Sequence, residues 1–222
     1  GMGEVFRVHD ATLGRDVAMK CLNARTARSK RGRRRFYAEA QIMGELSHPG
    51  VVPVFDAGID DTGRDYYLMK EVKGRTLRAV LTEVNAAGKP DFDTMTTLID
   101  TFVRVCQTVA YAHSKGIVHR DIKPGNIMVD DFGVVYLLDW GIAKRSGEVE
   151  SSGEDITVLD DEKTAAGAVL GTPGYMAPEQ AFGHTNRATA RTDVFALGLT
   201  LYEILTGDKA YKRRSKDESV AA

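Results

Sequence analysis

The side chains best suited to chemistry lie within residues 119–141. Asp121 can accept a proton, and Lys123, two residues later, is a compact positive charge that suits a phosphate. Asn126 supplies an uncharged oxygen and Asp139 a charged one, and both are ligands for a hard cation such as Mg²⁺. Phosphoryl transfer requires a protein to orient a hydroxyl, neutralise phosphate charge and hold metal ions. The stretch therefore predicts that chemistry.

The same stretch reads H-R-D-x-K-P-x-N and is followed by a D-x-G triplet. It resembles the catalytic core of the eukaryotic-like, or Hanks-type, Ser/Thr protein kinases. Three further matches occur in the family's order: V-A-x-K at residues 17–20, a helical acid at Glu39 and A-P-E at residues 177–179. The sequences D-W-G and G-T-P-G-Y-M-A-P-E-Q look most like those of bacterial members.

This resemblance implies a site for ATP and Mg²⁺ and a role for each candidate residue. The implied catalytic residues are Asp121 as the base, Lys123 as the phosphate contact, and Asn126. Asn126 and Asp139 are the implied metal ligands. The residues implied for nucleotide binding are Gly3, Val5, Ala18, Lys20, Glu39, Met69, Glu71 and Val72.

A second triplet, D-F-G at residues 131–133, matches the family's metal-binding motif more literally. It follows Asn126 by only five positions, whereas the family places two antiparallel strands between the asparagine and the metal-binding aspartate. Residues 127–130 form one such strand, and residues 130–133 have the Asp and Gly of a tight turn. Residues 134–138 then return as the second strand. We therefore expect the D-F-G triplet to be structural.

The nucleotide side of the site depends on Lys20, which ends the apolar strand segment 17–20. A buried lysine needs an anion, although a lysine on the outward face of the strand would need none. The helix predicted at residues 33–46 has an apolar stripe, and Glu39 falls on it. An acid on an apolar face needs a cation, so we expect Lys20 and Glu39 to pair. In the family this pair positions the ATP phosphates.

Two further segments bear on the nucleotide pocket. Gly3, Glu4 and Val5 match the last three positions of the glycine-rich G-x-G-x-x-G-x-V, although a tight turn would explain them equally well. The resemblance implies that the back of the pocket is Met69 and that the hinge is Lys70, Glu71 and Val72. We also expect strands at residues 51–55 and 66–72.

A basic cluster precedes the predicted helix and consists of Arg25, Arg28, Lys30, Arg31, Arg33, Arg34 and Arg35. Cations at a helix start oppose the macrodipole, so the cluster does not stabilise the helix. A solvated face is the default interpretation, and docking of an acidic or phosphorylated segment is the alternative. The acidic run at residues 146–163 is a candidate partner, and Thr164, followed by Thr157, is the favoured phosphosite for self-phosphorylation.

Several residues are expected to support the catalytic loop. His113 and His119 are interpreted as structural, and the resemblance implies that Arg120 receives a phosphate from the activation segment. Thr172 is expected to order its loop by hydrogen bonding near Asp121 and Lys123. Asp193 either holds the catalytic loop, as in the family, or caps a helix predicted at residues 194–205.

Length and composition limit the classes of protein and of partner that need to be considered. With 222 residues and 43% hydrophobic content, the chain can bury a sizeable core. A net charge of −1 gives no reason to expect a nucleic-acid partner. The two cysteines, Cys21 and Cys106, are far apart and suggest small core residues in a reducing, cytoplasmic setting. No apolar run approaches the length of a membrane span.

The predicted fold is α+β and two-lobed, like that of a protein kinase. Residues 1–72 are expected to form the N-lobe and hinge, and residues 73–222 a partial C-lobe. The resemblance implies a domain truncated at both ends, without the first strand and the last C-lobe helices. The predicted function is transfer of the ATP γ-phosphate to a protein Ser or Thr. A non-catalytic, nucleotide-binding scaffold is the main alternative, and a small-molecule phosphotransferase of related fold fits fewer of the motifs.

Overall fold

The computed structural model describes residues 3–145 and 171–211. The first part of the chain folds into an antiparallel four-stranded sheet with the spatial order β1-β2-β4-β3, on which a long helix, α2, packs. Its elements are β1 (Gly3–Asp10), β2 (Arg15–Leu22), α1 (Ala24–Ala27), α2 (Lys30–Glu45), β3 (Val54–Ile59) and β4 (Asp65–Lys70).

The second part is mainly helical, with three short strand pairings around the catalytic stretch. Its elements are β5 (Gly74–Thr76), α3 (Leu77–Ala87), α4 (Phe92–Ser114), β6 (Ile117–Val118), β7 (Ile127–Asp130), β8 (Val135–Leu137), β9 (Lys144–Arg145), α5 (Pro178–Ala181) and α6 (Ala190–Thr206). Strands β5, β7 and β8 form one small sheet, and β6 pairs with β9. The predicted α+β, kinase-like architecture is therefore confirmed.

Helix α2 forms where its apolar stripe predicted it. Ser29 caps its N-terminus by accepting a hydrogen bond from the Gly32 N–H at 3.3 Å, so the helix begins three residues before the predicted start. Its buried face includes Phe36, Ala40 and Glu39. Complete burial of a side chain such as Phe36 stabilises the fold by about 2–3 kcal/mol.

The hydrophobic core has a large and a small part. The large cluster runs from the C-terminal half of α2 through α4 and the β7–β8 hairpin to α6, and it contains the fully buried Trp140. The small cluster joins β2, β4 and α2 through Leu22, Tyr67, Phe36 and Ala40. Because both clusters include α2, this helix is fixed from two sides.

The β7–β8 hairpin settles the role of the D-F-G triplet. The Asp130 carboxylate accepts hydrogen bonds from the N–H groups of Phe132 (2.9 Å) and Val134 (2.8 Å), which closes the turn. Gly133 adopts a φ of 79°, and the Phe132 side chain is 94% exposed. The prediction that this triplet is a surface turn is confirmed.

Three boundary predictions were wrong. The strand expected at residues 51–55 begins only at Val54, because Pro53 has no N–H and Val51 forms a bridge with Leu137 instead. Strand β4 ends at Lys70 rather than at residue 72. The helix expected at residues 194–205 begins at Ala190 and is capped by Thr189, which leaves only the other interpretation of Asp193.

In the described part of the chain, every helix is too short or too polar to cross a bilayer.

Candidate active site

A cavity of about 400 Å³ lies between the first sheet and the β7–β8 hairpin. Its volume is within the range of small-molecule sites. Seven of the eight predicted nucleotide-binding residues line it, namely Val5, Ala18, Lys20, Glu39, Met69, Glu71 and Val72, and Asp139 lines it too. Gly3 lies outside the lining. It pairs with Leu22 in the β1–β2 ladder, and a Cβ at this position would meet the Cys21 carbonyl oxygen at 2.4 Å.

An ion pair on one wall of the cavity joins β2 to α2. Lys20 Nζ donates to Glu39 Oε1 at 2.7 Å and to Oε2 at 2.8 Å, so the predicted pairing is confirmed. The Glu39 side chain is 2% exposed and that of Lys20 is 15% exposed. A carboxylate this deeply buried is costly unless a cation pairs with it. The pair therefore fixes a positive charge at the cavity wall.

Tyr67 completes this wall, and its ring centroid lies 5.7 Å from Lys20 Nζ. Tyr67 is directly opposite Lys20 in the β2–β4 register. Burial, together with the neighbouring Glu39 carboxylate, raises the pKa of Tyr67, so its hydroxyl stays neutral. The sequence analysis did not single out Tyr67, because an aromatic residue in a strand has an ordinary packing explanation.

The carboxylate of Asp121 is held at both oxygens. Its Oδ2 accepts hydrogen bonds from Lys123 Nζ at 2.7 Å and Asn126 Nδ2 at 3.0 Å. Its Oδ1 accepts from the N–H of Thr172 at 3.1 Å and from the Thr172 hydroxyl at 2.9 Å. Lys123 also donates to that hydroxyl. The expected role of Thr172 is confirmed, and the four side chains form one connected network.

Asn126 and Asp139 are brought together by the hairpin between them. The N–H of Leu138, next to Asp139, donates to the Asn126 carbonyl at 2.7 Å. Asn126 is 8% exposed, and its amide nitrogen also donates to the Asp121 carbonyl at 2.9 Å. Asp139 is solvent-accessible on the cavity side and has a φ of 63°, a strained value for a residue other than glycine. The structure thus places Asp139 in the cavity lining and joins Asn126 to Leu138, the residue before Asp139.

The protein kinase domain family model matches residues 1–222. The chain belongs to the protein kinase family. It is 39% identical over 231 residues to the serine/threonine-protein kinase PknD of Protochlamydia amoebophila. The matched region covers 98% of this chain and 23% of that protein. It is 38% identical over 223 residues to PknD of Chlamydia pneumoniae, covering 96% and 24%. The chain therefore spans about a quarter of the length of the curated relatives it matches.

The donor set of this kinase domain fits Mg²⁺. The amide nitrogen of Asn126 is committed to Asp121, which leaves the amide oxygen to a cation, and Asp139 adds a carboxylate. Within residues 3–145 and 171–211, no group of three His, Cys, Asp or Glu side chains is placed to hold a metal. Asn126 and Asp139 thus offer part of a coordination shell, which Mg²⁺ usually completes with phosphates and water.

In this kinase domain, Asp193 binds the backbone of the catalytic loop. Its carboxylate accepts hydrogen bonds from the backbone N–H groups of His119 (2.9 Å) and Arg120 (2.8 Å), and it contacts His113 Nε2 at 2.7 Å. Asp193 is 0% exposed. Of the two interpretations, the structure thus supports the one in which Asp193 holds the loop.

The loop histidines have structural contacts. His119 Nε2 lies 3.0 Å from the Leu138 carbonyl oxygen, and His119 Nδ1 accepts the Asp121 N–H at 3.2 Å. Its ring packs edge-on against Trp140, with centroids 4.6 Å apart. His113 contacts Asp193, as described above. Both histidines therefore position the loop, as predicted.

The Glu71 side chain, in the cavity lining, has two cationic partners. Its carboxylate pairs with Arg7 Nε at 3.1 Å and with Lys73 Nζ at 3.7 Å. Arg7 lines the cavity and also reaches Asp16 at 2.6 Å. These two cations therefore engage the Glu71 carboxylate. Sequence reasoning missed Arg7, since charged strand residues usually face solvent.

Two arginines of the basic cluster have hydrogen-bond partners within the fold. Arg33 donates to the buried Asp65 at 2.7 Å, and Arg35 donates to the Gly141 carbonyl at 3.4 Å. These two arginines therefore have contacts within the fold, and docking of an acidic segment by the cluster stays a prediction. The acidic run at residues 146–163, including Thr157, and the favoured phosphosite Thr164 lie outside the described residues.

Sequence reasoning also missed Gln180 and Tyr175, which connect the segment after Thr172 to the rest of the fold. Gln180 Nε2 donates to the Arg120 carbonyl at 2.7 Å, and its Oε1 accepts from the Ala177 N–H at 3.1 Å. Tyr175, in the same segment as Thr172, contacts both Arg78 and the buried Glu203. Apart from the Gln180–Ala177 hydrogen bond, these contacts join residues more than 25 positions apart, so no local pattern reveals them. Burial and Glu203 raise the pKa of Tyr175, which therefore stays neutral.

Proposed function

We propose that the chain transfers the γ-phosphate of Mg·ATP to a Ser or Thr hydroxyl of a protein substrate. One observation carries the proposal: a nucleotide-sized cavity contains the Lys20–Glu39 pair and Asp139, and the hairpin that ends at Asp139 begins at Asn126, within the Asp121 network. The names of the relatives support the choice of Ser and Thr.

In the proposed reaction, Asp121 orients the substrate hydroxyl and accepts its proton as the oxygen bonds to the γ-phosphorus. The bond from that phosphorus to the bridging oxygen breaks, and ADP leaves. Lys123, 2.7 Å from Asp121, can neutralise charge on the transferred group. Lys20, held by Glu39, can bind the remaining phosphates. Mg²⁺, held by Asn126 and Asp139, would supply further positive charge to the phosphate oxygens.

The decisive experiment compares Asp139 with Asp131, each of which begins a D-x-G triplet, and also tests the proposed base Asp121. The purified chain is incubated with labelled Mg·ATP and a generic basic protein, together with the variants Asp121→Asn, Asp139→Asn and Asp131→Asn. We expect Asp121→Asn to lose roughly 100- to 10,000-fold in rate. We expect Asp139→Asn to lose roughly a thousandfold, because a metal ligand supplies several kcal/mol of charge stabilisation.

The matched control is Asp131→Asn, the same chemical change in the exposed surface turn, and we expect its rate to stay within about twofold of the parent. Saturable Mg·ATP binding without transfer to any hydroxyl would overturn the proposal and favour a nucleotide-binding scaffold. A loss in Asp131→Asn equal to that in Asp139→Asn would overturn the metal assignment.

We further propose self-phosphorylation at Thr164, and secondarily at Thr157, in a reducing, ATP-containing cytoplasm. Support comes from the position of Thr164 upstream of Gly171, Thr172 and Pro173, and from the free thiols of Cys21 and Cys106. Mass spectrometry after incubation with Mg·ATP should find phosphate on Thr164 in the parent and none in Asp121→Asn. Phosphate absent from both threonines in an active chain would refute this part.

A further inference from the structure

A buried carboxylate sits at the start of β4, outside the cavity. Asp65 is 2% exposed, and its Oδ1 accepts hydrogen bonds of 2.7 Å from both Arg33 Nη2 and the Tyr37 hydroxyl. Burial would raise the pKa of Asp65, but these two hydrogen bonds outweigh it and leave the pKa below its usual value. These two hydrogen bonds from one helix to a buried carboxylate attach α2 to β4.

Both donors belong to α2 and are four residues apart, which places them on the same face of the helix. Glu39 follows Tyr37 by two residues on this helix, and it lies about 9 Å along the axis from Arg33. The helix that supplies the acid of the Lys20–Glu39 pair is therefore attached to the sheet within about two turns before that acid.

A second contact lies between these two points. Phe36 packs on Tyr67 with ring centroids 5.0 Å apart, and Tyr67 follows Asp65 by two residues, on the same face of β4. Tyr67 is in turn opposite Lys20 on β2. Successive residues of α2 therefore contact the sheet through a polar anchor at Asp65, an aromatic contact at Tyr67 and the ion pair at Lys20.

We propose that Asp65 is a positioning residue, which binds Arg33 and Tyr37 of α2 and thereby sets the helix so that the Glu39 carboxylate reaches Lys20. This inference rests on the proposed nucleotide site. Apolar packing alone leaves a helix some freedom to slide or rotate, because it is not directional. Two hydrogen bonds to one buried oxygen fix both the height and the rotation of α2.

The test is a double-mutant cycle between Asp65→Asn and Glu39→Gln. The dissociation constant for Mg·ATP and the kcat and KM for ATP are measured for the parent, both single variants and the double variant. We expect Asp65→Asn to weaken Mg·ATP binding and lower kcat/KM about tenfold in the parent. In the Glu39→Gln background, we expect the same change to alter either quantity by less than about twofold.

An undiminished tenfold loss in the Glu39→Gln background would overturn the proposal, because Asp65 would then act independently of the ion pair. Thermal unfolding of all four proteins is measured in parallel. If Asp65→Asn lowers the unfolding midpoint equally in both backgrounds while the nucleotide readouts stay coupled, the proposal stands, since stability alone does not explain the coupling.

Milder variants remove the two donors one at a time. Arg33→Gln and Tyr37→Phe should each weaken Mg·ATP binding by less than Asp65→Asn does, because one hydrogen bond remains. The matched control is Arg34→Gln, the same charge change at the next, exposed position of α2. We expect no effect beyond about twofold there, and a loss equal to that of Arg33→Gln would refute the specific contact.

The two proposals fail separately. If the parent binds Mg·ATP but transfers no phosphate, the proposed activity is wrong, and the binding arm of the cycle still tests Asp65. If the parent is active and the cycle is additive, only the inference about Asp65 is wrong.

Discussion

The backbone N–H of Arg120 donates a 2.8 Å hydrogen bond to the buried carboxylate of Asp193. Arg120 has a φ of 68°, and a left-handed conformation in a residue other than glycine costs about 1–3 kcal/mol. The contacts that hold it there come from α6 and from the Gln180 side chain, which donates to its carbonyl. The conformation of the loop next to Asp121 is therefore imposed by distant elements.

Asp193→Asn should destabilise the chain and lower its activity. The amide would present an NH₂ group to one of the two backbone donors, and we expect the free energy of unfolding to fall by about 2–3 kcal/mol. Urea unfolding measures this change, and Asp100→Asn on the exposed face of α4 is the control. Equal unfolding free energies for Asp193→Asn and the parent would contradict the role given to Asp193.

Lys20→Met should leave the Glu39 carboxylate buried without its cation. Removal of one partner of a buried pair costs about 3–5 kcal/mol, whereas an apolar replacement of both is often close to neutral. The double variant Lys20→Met/Glu39→Met should therefore recover most of the unfolding free energy but none of the phosphate transfer. Chemical denaturation and the labelled-ATP assay separate these effects. A double variant that regains activity would disprove the phosphate-binding role of Lys20.

Asn126→Ala should raise the Mg²⁺ concentration required for half-maximal transfer. Loss of a ligand or its support typically costs about 10- to 100-fold in metal affinity, so we expect at least a tenfold shift. Excess Mg²⁺ should restore part of the rate, and chelation by EDTA should abolish it in every variant. The exposed Asn186→Ala serves as the comparison. An unchanged Mg²⁺ requirement in Asn126→Ala would remove Asn126 from the metal site.

His48 should make the chain less stable in mild acid. Its Nδ1 accepts the Gly50 N–H at 3.0 Å, its ring stacks on Tyr111, and burial lowers the pKa of the imidazole below 6.5. The unfolded chain then binds more protons than the folded one, so the contribution of His48 is complete above pH 6.5. It declines as the pH falls from there through the lower, folded-state pKa.

His48→Gln should therefore flatten the dependence of the unfolding free energy on pH between about pH 7 and 5. Urea unfolding at several pH values measures the slope. Measurements above pH 8 are the internal control, because the imidazole is neutral in both states there. An identical slope in His48→Gln and the parent would show that this imidazole is not responsible.

Much of the site followed from residues whose chemistry needs a partner. Lys20 and Glu39 were each costly to bury alone, so their pairing could be predicted across 19 positions. The β7–β8 hairpin could be predicted because two short apolar runs flank a turn with Asp and Gly, and the hairpin is the reason why Asp139, not Asp131, is the predicted metal ligand. In both cases the residues themselves indicated which partner or which turn the fold would supply.

Residues with an adequate local explanation were missed or misassigned. Arg33 was predicted to be part of a solvated basic cluster, and Asp65 was not singled out, yet the fold places the two side chains 2.7 Å apart. Asp193 could have capped a helix, but Thr189 and Thr192 form that cap instead. Strand β3 begins at Val54 rather than at residue 51, because Val51 forms a bridge with Leu137 in the second part of the chain. Each outcome depended on tertiary contacts that leave no periodic signal.

The surface turn at residues 131–133 matters for anyone who searches genomes for enzymes of this kind. A search that anchors on the letters D-F-G would take the solvent-facing Phe132 as the aromatic residue of the metal-binding motif and misplace that motif by eight positions. Mutagenesis planned from such an alignment would disable a loop tip and leave Asp139 intact. Counting two strands from the catalytic asparagine avoids that error, even where tryptophan replaces phenylalanine.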